Sequence, residues 1–172
     1  MELYLGLGSN EGCREEYIQT AIVALENAFD TACRAVSSVV ETEPWGFESS
    51  RKFLNAVIVL DVDLDYFCSE YAPSGEETDI SGIAELILRI CKNVERMCGR
   101  KRCAILDENG KRIYHDRPMD VDILFMGTHR IETDNLTIPH KDMKERDFVM
   151  QPLKEIVSDE IVCTFPEIFE LN

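Results

Sequence analysis

A chain of 172 residues with a formal net charge of −15 has room for one domain with a two-layer core, and its acidity argues against general binding to nucleic acid or anionic membrane. No apolar run reaches the roughly 18 residues of a membrane span, and Met1-Glu2-Leu3-Tyr4 lacks the basic start of a signal peptide. Seven cysteines, an odd number without a C-x-x-C pair, point to free thiols in a reducing compartment, so the cytoplasm is the expected location.

Residues 3–7 read as a first strand that runs into Gly6-Leu7-Gly8-Ser9-Asn10. Ile18, Ala21, Ile22, Leu25 and Phe29 recur at helical spacing and predict a helix behind it, with Ser9 or Asn10 as its cap. Residues 33–41, rich in Val and Ser, are expected to form one strand, broken by Thr42-Glu43-Pro44-Trp45-Gly46 and a loop towards Lys52. Residues 53–60 are apolar and β-branched, a further strand. A polar surface insertion is expected over 71–79.

Ile83, Leu86, Ile87, Ile90, Val94 and Met97 make the apolar stripe of a second helix, ending near Gly99. Residues 103–116 follow, with Asn109-Gly110 as a tight hairpin turn. Residues 119–126 form another strand, Thr137-Ile138-Pro139 an extended piece, and 144–157 a partly helical one. The β-α-β-β-α-β order predicts an α+β, ferredoxin-like domain over 1–172: an antiparallel sheet with helices on one face and extra C-terminal elements.

The sharpest local feature is Arg117-Pro118-Met119-Asp120-Val121-Asp122-Ile123-Leu124. On a strand Asp120 and Asp122 point to the same face, their α-carbons about 6.6 Å apart. Two such carboxylates can share a pair of metal ions, and they are costly side by side without a cation. Taken alone, an Asp-x-Asp is more often two solvated aspartates at a strand end. Arg117 shifts the balance, as does the basic island around it: residues 89–117 hold nine Lys or Arg against four acids. Hard dications with few protein ligands complete their shells with water and substrate phosphates, so a metal-bound polyphosphate is the functional reading. Surface ion pairing is the competing one.

Gly6-Leu7-Gly8 is not a dinucleotide loop, because position 11 is Glu, and no G-x-x-x-x-G-K-[ST] occurs. Gly8 instead lets another group approach the strand end. Phe53 and Asn55 share a strand face, where a buried Asn55 requires partners for its oxygen and its nitrogen. A flat heterocycle with donors and acceptors on its edge would supply them, and so would backbone. His140, Lys141, Arg146 and Phe148 add phosphate ligands and an aromatic, or, read singly, core residues.

Together these segments resemble the hydroxymethyldihydropterin pyrophosphokinase family of folate biosynthesis, in its order and across roughly residues 3–155. The resemblance implies transfer of pyrophosphate from ATP to a hydroxymethyl-dihydropterin, giving AMP and the pterin diphosphate. It implies Asp120 and Asp122 as ligands of two Mg2+ ions bridging the co-substrate ATP. Arg100 and Arg117 are implied as catalytic phosphate contacts, joined by His140 and Arg146, with Arg102 and Tyr114 as helpers. Lys92 and Glu95 approach the nucleotide, and Ile123 and Thr137 border adenine. Phe53 and Phe148 sandwich the pterin, while Gly8, Thr42, Pro44, Trp45 and Asn55 surround or read its edge. A monomer is expected, with association with neighbouring folate-pathway enzymes left open.

This chain departs from the family at Tyr114, His115 and Asp116 and in a lengthened 103–113 loop. Asp116 puts a negative charge beside a phosphate site, so it is expected to point away or to be paired. Two other classes compete with the enzyme: a catalytically weak relative that binds pterin or nucleotide in a regulatory role, and a ferredoxin-like RNA-binding module. Intact Asp120, Asp122, Arg117 and Asn55 argue against the first, and the net charge against the second.

Overall fold

Leu3, Leu5 and Leu7 lie on one face of the first strand and Tyr4 on the other, all buried, so this strand must run through the middle of a covered sheet. The computed structural model describes residues 1–72, 78–101, 105–106, 108, 112–113 and 115–169. In it β1 (Glu2–Ser9) is flanked by β4 (Phe53–Asp61) and β7 (Asp120–Met126), both antiparallel to it. On the far side of β4 run β2 (Cys33–Val36) and β3 (Val40–Thr42). Two short ribbons complete the strands: β5 (Ile105–Leu106) with β6 (Arg112–Ile113), and β8 (Ile131–Glu132) with β9 (Thr137–Ile138).

Two helices cover one face. In α1 (Arg14–Phe29) the buried residues are the five that the periodicity predicts. In α3 (Ile80–Met97) Ile83, Leu86, Ile87, Ile90 and Val94 are buried, but Met97 is 68% exposed. The stripe drifts off Met97 as the helix ends, and Cys98, four residues after Val94, takes the buried place. A short α2 (Leu64–Tyr71), not foreseen, starts on the Asp63 carboxylate and buries Phe67, stacked on Phe29 at 5.6 Å. The opposite face is closed by α4 (Asp147–Ile156), α5 (Asp159–Thr164) and α6 (Pro166–Phe169), which bury Leu153, Ile161 and Phe165 against Tyr4, Val57 and Phe125. The ferredoxin-like α+β arrangement is therefore present, with the C-terminal elements forming a third layer. Each fully buried aliphatic or aromatic side chain contributes about 1.5–3 kcal/mol.

Two local expectations are corrected. Residues 33–41 are two strands, because the Ser37 hydroxyl accepts from Val57 N (2.8 Å) and bends the chain out of the ladder. Neither Ser9 nor Asn10 caps α1: Cys13 holds that position, without a side-chain bond, and Asn10 is used elsewhere. The β5–β6 pairing fits a hairpin over 103–116, but Asn109-Gly110 lies outside the described residues, as does most of 71–79. Among the described residues no helix is long and apolar enough to cross a membrane, and the six described cysteines are free.

Candidate active site

The floor of the site follows from strand register. On the face turned to α4, β1 presents Glu2, Tyr4, Gly6 and Gly8 in turn. Gly8 stands between Asn55 of β4 and Asp120 of β7, and Gly6 between Val57 and Asp122. Two strand spacings separate Asn55 from Asp120, about 10 Å, with no side chain between them. The result is a cleft of about 640 Å³. A Cβ added at Gly8 would lie 3.3 Å from Asn55 Oδ1 and 3.7 Å from the Phe53 ring, so only glycine keeps this floor flat. A β-bulge in β7 sets Phe125, not Leu124, opposite Tyr4, which keeps the carboxylates and the aromatic core on one face.

One wall is charged. Gly99, at φ +92°, turns the chain off the end of α3 and places Arg100 over β7. Arg100 Nη1 meets Asp120 Oδ1 at 2.5 Å and Glu95 Oε2 at 3.0 Å. Arg117 grips the other Asp120 oxygen through Nε (3.0 Å) and Nη2 (2.9 Å). Burial alone would raise the Asp120 pKa, but Arg117, Arg100 and Lys92 hold it well below the usual carboxylate range. Glu95, only 3% exposed, spends Oε1 on Lys92 Nζ (2.8 Å) and Val121 N (3.0 Å), and burial pushes its carboxyl upward. Glu95 therefore fastens Arg100 and β7 together from beneath.

The other wall is aromatic. The Arg117 guanidinium lies 4.9 Å from the Phe53 ring centre, and Phe47 meets Phe53 edge-on at 6.2 Å. Arg146 lies 4.6 Å over Trp45 and 6.0 Å from Phe148, with Nη1 3.7 Å from Asp122 Oδ2. Arg146 is 7% exposed, and its buried Nε has no hydrogen-bond partner among the described residues. Asn55 Nδ2 donates to Thr42 Oγ1 (2.9 Å), which leaves its Oδ1 leaning over Gly8. His140 is held below its ordinary range by burial, with Arg146 adding to the effect and Asp122 opposing it. Its Nδ1 accepts from Asp142 N (3.3 Å), so the neutral ring carries its proton on Nε2.

The cleft brings together Gly8, Thr42, Trp45, Phe53, Asn55, Lys92, Glu95, Arg100, Arg117, Asp120, Asp122, Ile123, Thr137, His140, Arg146 and Phe148. Pro44 is not among the lining residues, although both its neighbours are. Arg102 and Tyr114 lie outside the described residues. Sequence reasoning missed Gly6, Phe47 and Asp142. A period of two from Gly8, a second aromatic two residues past Trp45 and an acid two residues past His140 are the signals that mark them. Asp116 is paired, as its charge requires: Asn10 Nδ2 donates to its Oδ1 at 2.6 Å.

Among the described residues no cluster of three or more His, Cys, Asp or Glu forms a ready-made metal cage. The donor set that exists, two carboxylates on one face, is all hard oxygen and fits a dication whose remaining ligands come from water and phosphate.

The sequence model of the 7,8-dihydro-6-hydroxymethylpterin-pyrophosphokinase family matches residues 4–158. The chain belongs to that family. It is 37% identical over 155 residues to a 2-amino-4-hydroxy-6-hydroxymethyldihydropteridine pyrophosphokinase of Porphyromonas gingivalis, covering 90% of this chain and 89% of that one. The Bacillus subtilis protein of the same name is 32% identical over 153 residues, 89% of this chain and 76% of that one. A folate synthesis bifunctional protein of Arabidopsis thaliana is 32% identical over 163 residues, 92% of this chain but 28% of its own length. For a pyrophosphokinase of this family, the glycine floor, charged wall and aromatic wall form a single continuous cleft.

Proposed function

We propose that this chain transfers the pyrophosphoryl group of ATP to the hydroxymethyl oxygen of 6-hydroxymethyl-7,8-dihydropterin, releasing AMP and making the pterin diphosphate of folate biosynthesis. The observation that carries the reading is the Asn55–Gly8–Asp120 row, which sets the Asn55 amide and the Asp120 carboxylate about 10 Å apart across a bare floor. A pterin ring lies over Gly8, its edge against Asn55 and Thr42 and its faces against Phe53 and Phe148, with Trp45 closing the loop side. That posture directs its hydroxymethyl group towards Asp120 and Asp122.

Enzymes of the family use ATP and a divalent metal. Here Asp120 and Asp122 would hold two Mg2+ ions, which neutralise the triphosphate and lower the pKa of the attacking hydroxyl when bound. Arg100, Arg117 and Arg146 take the phosphate oxygens, and the orphaned Arg146 Nε is a donor in search of such an acceptor. His140 adds a neutral Nε2–H donor. Ile123 and Thr137 border the adenine, and Lys92 with Glu95 supports Arg100. No side chain is needed as a strong general base, because positioning and charge neutralisation supply most phosphoryl-transfer catalysis. The hydroxymethyl oxygen bonds to the β-phosphorus as the α,β-bridging bond breaks, and AMP leaves. The chain works as one domain over 1–172 and as a monomer in the cytoplasm.

Nucleotide product analysis with ATP, Mg2+ and the reduced hydroxymethylpterin tests this. Pterin-dependent AMP is expected. ADP would assign a simple kinase instead, and pterin binding without turnover would leave only a binding protein.

A further inference from the structure

Asn10, 2% exposed at the end of β1, uses its side chain to join three segments. Its Oδ1 accepts from Arg117 N (2.8 Å), and its Nδ2 donates to Asp116 Oδ1 (2.6 Å) and to the Arg51 carbonyl (3.3 Å). Its own N–H donates to the Arg117 carbonyl (3.2 Å). The main chain of Arg117 is thus held at both its N–H and its C=O by one residue. Beyond it the Arg117 guanidinium reaches Asp120 Oδ2 and lies over Phe53, between the phosphate wall and the aromatic one.

A side-chain amide presents two chemically opposite ends, and the clamp works in one orientation only. If the Asn10 amide turned over, its NH2 would face the Arg117 N–H, donor against donor. Asp116 forbids that, because an ionised carboxylate only accepts and so must see the NH2 end. At 2.6 Å this is a charge-assisted contact and outweighs the longer one to the Arg51 carbonyl. The ion pairs of Arg51 with Glu11 (3.4 Å) and Asp116 (3.8 Å) involve a half-exposed guanidinium and add little.

We propose that Asp116 is a positioning residue for the transfer reaction: it fixes the orientation of the Asn10 amide, and through it the backbone of Arg117. The proposal rests on the pyrophosphokinase reading of the cleft. Asp116→Ala should lower kcat about tenfold while the KM values for ATP and pterin change less than about threefold, since one oriented charge-assisted bond is lost from the reacting geometry. Asp116→Asn, whose Oδ1 can still accept from Asn10, should recover most of the rate. In an Arg117→Ala background, Asp116→Ala should cost almost nothing further, because the two act as a unit.

If wild-type protein forms no pterin-dependent AMP, the pyrophosphokinase reading itself fails. If the wild type turns over but Asp116→Ala matches it, only the positioning role falls. Equal loss in Asp116→Ala and Asp116→Asn, or full additivity with Arg117→Ala, would also overturn it. Thermal melts of each variant separate lost folding from lost positioning.

Discussion

The two ends of β1 present the same face of the same strand and do opposite things with it. At the N-terminal end Glu2 and Tyr4 fill that face. The Tyr4 ring packs edge-on against Phe125 (5.9 Å), and its hydroxyl donates to Glu2 Oε2 (3.0 Å) and accepts from Ser158 N (3.0 Å). Ser158 Oγ and Arg34 donate to Glu2 as well. That knot seals α4 and α5 down onto the sheet. At the C-terminal end Gly6 and Gly8 leave the face bare, and the cleft opens there. Stability here comes from side chains present, and the site from side chains withheld.

Four substitutions break or sharpen this contrast. Asp122→Ala should cut pterin-dependent AMP release by about 10³-fold, as expected if that carboxylate holds the metal, with little change in melting temperature. Gly8→Val puts branched carbon into the space between Asn55 and Phe53. It should raise the pterin KM about tenfold or more, consistent with the cost of overpacking a fitted site. Gly6→Ala, whose Cβ has Leu124 as nearest neighbour at 3.5 Å, should change the same KM much less in the same assay. Phe53→Ala should weaken pterin binding by about tenfold in calorimetry, the size of a lost aromatic stacking face.

Glu2→Gln should leave turnover unchanged and lower stability by about 1–2 kcal/mol at pH 7, the worth of weakened hydrogen bonds to a charged group. Its Arg34 partner is 38% exposed, so the bonds from Ser158 and Tyr4 carry most of this. Burial would raise the Glu2 carboxyl, but the bonds from Arg34, Ser158 and Tyr4 lower it below 4.5 overall. A depressed carboxyl stabilises the fold above its ordinary value and ceases to as pH falls through the depressed one. Denaturant titrations should therefore show the gap between wild type and Glu2→Gln closing below pH 4.5.

Much of the frame was legible because period alone fixes it. The α1 stripe and the apolar run of β4 admit one reading each. Other features depend on contacts that sequence spacing does not encode. Ser37 breaks a strand by bonding to Val57, twenty residues away. Asn10 looked like a helix cap, a local role, and instead bonds across more than a hundred residues to Asp116 and Arg117. α2 is short and buries only Phe67, too little for a periodic signal. In the site, Asp120 and Asp122 stood out once Arg117 and the basic island were set beside their spacing, whereas Glu95 became intelligible only when Lys92, Arg100 and Val121 closed around it.

The β7 bulge leaves that strand with two reading frames. Up to Leu124 the even-numbered residues look towards α4, and from Phe125 onward the odd-numbered ones do. A crossover point for chimeras with relatives therefore belongs outside residues 120–126. Joining the halves of two parents at Leu124 with one residue too few would turn either the acidic pair or Phe125 to the wrong side, with every amino acid still of a permitted type.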